Sequence, residues 1–262
     1  MKRISIIAAS LMCSVVLSAQ TKEAAVLFSG TGIDESYLLT DNVSVSFENG
    51  TGTIMVGEVS KGTLDLDKGD VTADFRNAFN LTAHNDPDNT SNYYTTFYAE
   101  EGAYKVPSEA KAYIGAINGD VLNLTSVEGL IHGSEPVVLK ASTGSFTLMP
   151  SANNGAATTP NALLGTETGI TTAGSNVYAL SLGQDGVGFY WWEGSNIGAN
   201  KAYLELTSQA KAFTFMFEDE ADAIQNSQLS TLNSQLYNLN GVRVNEGYKG
   251  LVIKNGKKYI IK

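Results

Sequence analysis

The most distinctive chemistry in the sequence lies in a run of aromatic side chains followed by an acid, Phe189-Tyr190-Trp191-Trp192-Glu193. Successive residues of a β-strand point to opposite faces, so Tyr190 and Trp192 are expected on one face and Phe189 and Trp191 on the other. Flat aromatic rings that are exposed beside a carboxylate can stack on sugar rings and accept hydrogen bonds from their hydroxyl groups. Tyr190, Trp191, Trp192 and Glu193 are therefore the candidate ligand-binding residues.

The same run has a second interpretation, because aromatic residues also fill protein cores. One pair would then lie in the core, and the other pair would be covered by residues 150–176. That stretch is rich in Ala, Asn, Gly and Thr, which is typical of a long surface excursion. The sequence leaves both interpretations open.

The sequence offers little to an enzyme mechanism. Its two histidines, His84 and His132, are not spaced as a metal-binding pair, and both are expected to be solvent-exposed or structural. It contains no Gly-x-Ser-x-Gly nucleophile motif and no phosphate-binding loop. A glycoside hydrolase that uses two carboxylates stays open as a weaker alternative, although no spacing nominates a pair. The sequence predicts no catalytic residue, no metal site and no cofactor.

Residues 1–19 have the composition of a helical signal peptide. Lys2 and Arg3 form a basic start, residues 4–17 form an apolar run, and Ser18-Ala19 supply small residues for cleavage ahead of Gln20. The apolar run is shorter than the roughly 20 residues that a membrane-spanning helix needs. We therefore expect cleavage after Ala19 and an exported mature chain without a transmembrane segment, located at the cell surface, in the extracellular space or in the periplasm.

Export would also change the composition of the protein. Cys13 is the only cysteine of the chain, so the mature protein would have neither a disulfide nor a thiolate metal site. The formal charge of the whole chain is -10, and the loss of Lys2 and Arg3 makes it more negative still. Such an acidic protein is not expected to bind nucleic acid, whose phosphates require basic patches.

The pattern of the mature chain predicts an all-β protein, because short alternating runs are separated by Asn-Gly and other glycine turns. We expect a small N-terminal β-unit at residues 20–76 and a central antiparallel β-sandwich-like domain at residues 77–218. An acidic stretch that becomes rich in Gln, Ser and Asn predicts a linker at residues 219–235. The remaining residues, 236–262, are expected to form a C-terminal β-hairpin module.

Two Asn-Gly dipeptides give the strongest local predictions. Asn49-Gly50 and Asn255-Gly256 each suit a two-residue type I′ turn, which needs a positive φ at both residues. In the second hairpin this turn would place Val252 opposite Tyr259 and Leu251 opposite Ile260.

The C-terminal segment resembles a known family of tails. Residues 236–244, LYNLNGVRV, and 249–262, KGLVIKNGKKYIIK, are similar to the sorting domains of the type IX secretion system in exported Bacteroidota proteins of Bacteroides and Prevotella type. The central segments YTTFY at residues 94–98 and PVVLK at residues 136–140 are similar to modules of secreted proteins from the same bacteria. The resemblance implies an exported surface protein whose tail contacts secretion machinery.

Together these features predict an exported, non-catalytic β-protein of the cell surface or periplasm with a C-terminal sorting or attachment module. Its role would be adhesive or glycan-associated, so the expected partner is a glycan or another cell-surface component. The alternative is a carbohydrate-binding module that uses the aromatic platform of residues 190–193.

Overall fold

The computed structural model describes residues 3–5, 20–65, 71–87, 89–172, 176–183, 186–206, 212–218, 236–238, 243–244, 250–254 and 257–261. The chain divides into two compact units, Met1–Phe215 and Met216–Lys262. Apart from Arg3–Ser5, the predicted signal peptide lies outside the described residues, as does the predicted linker at residues 219–235. Among the residues that are described, no helix is long and apolar enough to cross a membrane.

The described residues form β-strands almost throughout, which confirms the all-β class. A turn of 3-10 helix, Leu39–Asp41, precedes the fourth strand. In chain order the strands are β1 (Arg3–Ser5), β2 (Gln20–Gly30), β3 (Ile33–Leu38), β4 (Val43–Glu48), β5 (Thr51–Val56), β6 (Val59–Asp65), β7 (Thr72–Thr82), β8 (His84–Asn85), β9 (Tyr93–Phe97), β10 (Ala103–Lys105), β11 (Ala110–Asn118), β12 (Val121–Val127), β13 (Leu130–Ile131), β14 (Val137–Ala141), β15 (Ser145–Ser151), β16 (Leu164–Thr166), β17 (Ile170–Thr171), β18 (Val177–Gly183), β19 (Gly186–Trp191), β20 (Asn196–Ile197), β21 (Lys201–Glu205), β22 (Ala212–Phe217), β23 (Leu236–Asn238), β24 (Arg243–Val244), β25 (Gly250–Lys254) and β26 (Lys257–Ile261).

These strands form several sheets. The N-terminal sheet has the order β1-β4-β5-β6, and the middle sheet has the order β13-β10-β15-β7-β2-β3. A ten-stranded sheet follows the order β16-β21-β18-β19-β22-β12-β11-β14-β9-β8, and β17 pairs with β20 beside it. The C-terminal unit contains the sheet β24-β23-β25-β26. In the ten-stranded sheet, β11 pairs antiparallel with both β12 and β14, as the predicted antiparallel β-sandwich-like fold requires.

Both Asn-Gly hairpins have the predicted strands. At the first, Asn49 has a φ of 49° and Gly50 a φ of 77°, and Glu48 pairs with Thr51 across the turn. At the second, β25 and β26 pair with Val252 opposite Tyr259 and Leu251 opposite Ile260, which confirms the predicted register. The residues of the second turn, 255–256, lie outside the described part of the chain.

The middle sheet depends on pairing between distant parts of the sequence. β2 pairs antiparallel with β7 from Gln20 opposite Leu81 to Ser29 opposite Thr72. The other side of β7 pairs with β15, with Phe79 opposite Leu148. The predicted end of the N-terminal β-unit, at residue 76, therefore falls inside β7, and residues on both sides of that boundary belong to one sheet.

Two of the apolar cores of the first unit lie between its sheets. The larger core lies between the middle sheet and the ten-stranded sheet, as in a β-sandwich. It is formed by the buried residues Phe79, Leu81, Ala83, Phe97, Ala99, Tyr104, Ala110, Ala112, Ile114, Ile131, Val137, Leu139, Ala141, Phe146 and Leu148. The smaller core joins the N-terminal sheet to the middle sheet and contains Val26, Phe28, Val43, Val45, Ile54 and Leu64.

The ten-stranded sheet curls until β21, near one edge, reaches β9, near the other. The Asn200 side chain donates a hydrogen bond to the Tyr98 carbonyl at 3.1 Å, and the Tyr98 N–H donates to the Asn200 carbonyl at 3.2 Å. Within the curl, the rings of Tyr94 and Phe215 lie 5.8 Å apart. The curl therefore encloses aromatic residues on the face that turns away from the larger core.

Candidate functional site

The aromatic run lies at the end of a hairpin in the ten-stranded sheet. β18 and β19 pair antiparallel, with Leu180 opposite Phe189, Ala179 opposite Tyr190 and Tyr178 opposite Trp191. β19 ends at Trp191, so Trp192 and Glu193 belong to the turn that follows. Residues 191–197 are called the aromatic turn below.

Phe189 and Trp191 share a face of β19 but have different environments. Phe189 is 0% exposed, and its ring lies 6.0 Å from the ring of Phe215. Tyr178 is also fully buried, and its ring packs edge-on against Phe213 at 5.4 Å. Trp191, at the last position of the strand, is 42% exposed. The indole of Trp191 therefore lies at the rim of the core, where another molecule can reach it.

Tyr190 and Trp192 are both half-buried and are fixed by hydrogen bonds. The Tyr190 hydroxyl donates to the Gly186 carbonyl at 2.8 Å. The Trp192 indole N–H donates to the Asn196 carbonyl at 3.0 Å, and its backbone N–H donates to the Val177 carbonyl at 2.8 Å. Exposure does not follow the predicted pairs. Trp191, which shares a face with the buried Phe189, is the most exposed aromatic residue of the run.

A second set of contacts holds the aromatic turn against the sheet. Trp192 packs on a cluster formed by Val177, Ile197 and Tyr203, which Ile170 also contacts. Ile170 belongs to β17 and pairs with Ile197 of β20. Ile170, from the 150–176 stretch, therefore packs on the same cluster as Trp192, while Trp191 is left exposed.

Thr172 fixes the position of the turn. Its hydroxyl donates to the Gly194 carbonyl at 2.6 Å, and its backbone N–H donates to the Ser195 carbonyl at 2.9 Å. A Cβ at Gly194 would lie 2.5 Å from the Trp192 ring, so this position requires glycine. Sequence reasoning missed Thr172 and Gly194, because nothing local indicates that β17 packs against a turn more than 20 residues further on.

Several of the residues that follow Trp191 in the aromatic turn are polar. Glu193, Ser195 and Asn196 are exposed, and in the described part of the chain the Glu193 carboxylate has no hydrogen-bond partner. On the same face of the hairpin as Trp191, Leu182 is 53% exposed. An exposed indole followed in the chain by a carboxylate without a partner can contact a ligand that has both apolar and hydroxyl-bearing surfaces.

Other polar side chains that could do chemistry are used by the fold. Glu135 is 0% exposed, and its carboxylate accepts hydrogen bonds from the N–H groups of His132 at 2.9 Å and Thr158 at 2.7 Å. His132 Nδ1 accepts from the Gly155 N–H at 2.9 Å. Both side chains thereby fix residues 152–163, called the polar strap below, to the turn before β14. His132 is structural, as one of its two predicted roles required, and His84 lies exposed on β8.

Asp34 joins the edge strand β3 to β15. Its carboxylate accepts hydrogen bonds from the Ser151 hydroxyl at 2.6 Å and the Ala152 N–H at 2.8 Å, and it lies 3.5 Å from the Lys105 ammonium. Burial raises the pKa of Asp34, but these hydrogen bonds and the lysine charge outweigh burial and lower the pKa below its ordinary value. Asp34 therefore closes the curled middle sheet.

Two ionisable side chains of β21 have shifted pKa values, and one of them, Tyr203, packs on the cluster beneath the aromatic turn. Burial lowers the pKa of Lys201 to about 8, and its ammonium lies 3.5 Å from the Thr95 hydroxyl. Burial, followed by the nearby Glu205 carboxylate and the Tyr98 phenol, raises the pKa of Tyr203. The Tyr203 hydroxyl therefore keeps its proton at neutral pH beneath the turn.

Comparison of the chain with protein families, with curated proteins and with solved structures gave no match. Within the described ranges, no three His, Cys, Asp or Glu side chains lie close enough together to hold a metal ion. The candidate site is therefore described by its own geometry, an exposed Trp191 at the end of the β18–β19 hairpin with an exposed Glu193 two residues further along the chain.

Proposed function

We propose that the protein is exported and acts at the cell surface or in the periplasm as a non-catalytic binding protein whose ligand is a glycan. The observation that carries this proposal is the exposure of Trp191, which is 42% accessible although the other aromatic residues of its run are half-buried or buried. Apolar surface that stays exposed on an ordered strand is a common feature of binding sites.

The chemistry of the aromatic turn fits this ligand class. The indole face of Trp191 stacks on the C–H face of a sugar ring, and the Glu193 carboxylate accepts hydrogen bonds from sugar hydroxyl groups. The turn is fixed by Thr172, so the protein loses little conformational entropy when the ligand binds. In this proposal Trp192 orients the turn through its hydrogen bonds to Asn196 and Val177, and Tyr190, held by Gly186, supports the strand that carries Trp191.

The C-terminal unit, Met216–Lys262, has a separate role in this proposal. Its residues 229–262 carry Arg243 and five lysines against Glu246, whereas the whole chain has a formal charge of -10. Together with its β-hairpin, this segment serves sorting or attachment through contact with secretion machinery. Deletion of residues 229–262 followed by cell fractionation tests this role, because unchanged surface display would exclude it.

A glycan array with the mature protein, residues 20–262, tests the glycan proposal. We expect binding to at least one polysaccharide class, and about tenfold weaker or lost binding for Trp191→Ala. Phe75→Ala is the matched control, because Phe75 is a 64% exposed aromatic residue of β7. Absence of any glycan signal, or equal loss of binding in both variants, would contradict the proposal.

A further inference from the structure

The N-terminal sheet contains a strand that belongs to the predicted signal peptide. β1 lies at the edge of this sheet and pairs antiparallel with β4, with Arg3 opposite Ser46, Ile4 opposite Val45 and Ser5 opposite Ser44. The other side of β4 pairs with β5. Cleavage after Ala19 would therefore remove the outer neighbour of β4 and make β4 the edge strand.

An edge strand exposes a row of unpaired N–H and C=O groups, which is a template for pairing with another strand. β4 contains neither proline nor lysine, the residues that most often protect such edges. Its apolar row is also incompletely covered, since Val43 and Val45 are buried but Phe47 is 37% exposed. The freed edge is therefore suited to accept a strand that continues this apolar row.

The sequence of β4 fits a second copy of itself. In an antiparallel pair centred on Val45, Val45 lies opposite Val45 of the other copy, and Ser44 lies opposite Ser46. The same register places Val43 opposite the exposed Phe47, so that apolar residues meet apolar residues and serines meet serines. Glu48 falls opposite Asn42, which avoids a pair of like charges.

The segment that already occupies this edge has the same pattern of residue types. Ile4 stands opposite Val45, where the second copy would place its own Val45. Ser5 stands opposite Ser44, where the second copy would place Ser46. The edge thus already accepts an antiparallel strand with a β-branched apolar residue at the central position and serine beside it.

We propose that removal of the signal peptide frees β4 to pair antiparallel with β4 of a second copy, which forms a symmetric dimer centred on Val45. This inference rests on the proposed export, since it requires cleavage before Gln20, but it is independent of the glycan site. Strand pairing over residues 43–47 buries much less surface than the roughly 1,600 Å² of a standard interface. The dimer therefore depends on protein concentration, and it would supply two glycan sites per assembly.

Sedimentation of the mature protein, residues 20–262, with charge variants tests the register. Ser44→Lys/Ser46→Lys places lysines opposite lysines, and Ser44→Glu/Ser46→Glu places glutamates opposite glutamates, so each variant should dimerise at least tenfold more weakly. An equimolar mixture of the two should recover the dimer, because opposite charges then meet. Ser60→Lys, on the far edge strand β6, is the control and should dimerise like the wild type.

Cysteine pairing gives a second test that does not depend on charge. The mature chain contains no cysteine, so Ser44→Cys and Ser46→Cys each introduce one thiol. Under mild oxidation, a mixture of the two single variants should form a disulfide-linked dimer, whereas each variant by itself should not. Cross-linking in every combination, or in none, would overturn the proposed register.

The outcomes separate this inference from the proposed export. Intact mass of protein recovered from cells shows whether residues 1–19 are removed, and their retention would contradict the export itself. A cleaved protein that stays monomeric at several hundred micromolar would overturn the dimer and leave export standing. A monomer whose β4 amides are nevertheless protected from hydrogen exchange would also overturn it, since another strand would then occupy the edge.

Discussion

The polar strap and the aromatic turn are both fastened to the ten-stranded sheet, but they differ in what they leave to solvent. At the strap, the buried Glu135 carboxylate accepts two backbone N–H groups and His132 accepts a third. At the turn, the hydrogen bonds use backbone carbonyls, the Thr172 hydroxyl and the Trp192 indole N–H. The Trp191 ring and the Glu193 carboxylate are left exposed.

This difference separates structural from ligand-binding chemistry better than residue type does. His132 and Glu135 are close in the sequence, yet the Glu135 carboxylate and His132 Nδ1 accept backbone hydrogen bonds that hold the fold together. The aromatic run suggests a core, yet one indole remains accessible. A buried polar group must be hydrogen-bonded within the protein, whereas an exposed one is available to a partner. The contacts of the strap therefore support the fold, and the exposed groups of the turn support the binding role that we propose for it.

The largest expected effect separates the two aromatic residues that share one face of β19. Phe189→Ala should lower the free energy of unfolding by about 3–5 kcal/mol, because it opens a cavity in a fully buried site. Trp191→Ala should lower it clearly less, by about 1–2 kcal/mol, because 42% of the residue is already exposed to water. Urea unfolding of both variants measures the difference. Equal losses would mean that Trp191 is a core residue and not a binding platform.

The two glutamates provide the next comparison. Glu135→Ala should destabilise the protein by about 1–3 kcal/mol, because it removes a buried carboxylate that accepts hydrogen bonds from the His132 and Thr158 N–H groups. Glu193→Ala should change stability by less than about 0.5 kcal/mol and should instead weaken glycan binding. Chemical denaturation and the glycan assay are run on the same preparations. A stable Glu135→Ala variant would contradict the structural role of the strap.

Sequence patterns predicted the local parts of this fold. The pairing of the strands on either side of Asn49-Gly50 and of residues 255–256 was predictable, because the assumption of a two-residue turn determines which strand residues face each other. The pairing of β2 with β7 was not predictable in this way, because more than 40 residues separate the two strands. The pairing of β2 with β7 extends on both sides of residue 76, the predicted domain boundary.

The sequence indicated the aromatic run as the candidate site, but it did not indicate which residues of the run are exposed. Strand alternation predicts Phe189 and Trp191 on one face, but it could not show that β19 ends at Trp191 or that Ile170 of β17 packs on the same cluster as Trp192. Those facts depend on β17 and β20, which pair across 25 residues of chain. The burial of Glu135 likewise depends on Thr158, which no local pattern connects to it.

A smaller test concerns Lys201, in strand β21 of the ten-stranded sheet. Its folded-state pKa of about 8 is below the ordinary 10.5, so between these pH values the unfolded chain holds a proton that the folded chain has lost. Stability should therefore rise as the pH increases through this window. Lys201→Met should stabilise the protein at pH 7 by about 1–3 kcal/mol and remove the rise. Urea midpoints measured from pH 7 to 10 test it, and an unchanged pH profile in the variant would contradict the assignment.

The smallest expected effect tests whether the rigidity of the aromatic turn matters for binding. Thr172→Val keeps the volume of the side chain but removes the 2.6 Å hydrogen bond to the Gly194 carbonyl, which should cost about 1 kcal/mol of stability. If the turn must be held in place to present Trp191, glycan binding should weaken by severalfold although no contact residue has changed. Thr171→Val is the matched control, because Thr171 is the exposed neighbour in β17. Unchanged affinity in Thr172→Val would show that Trp191 acts without the hydrogen bond from Thr172 to the turn. The aromatic turn would then differ from the polar strap only in how deeply its polar groups are buried.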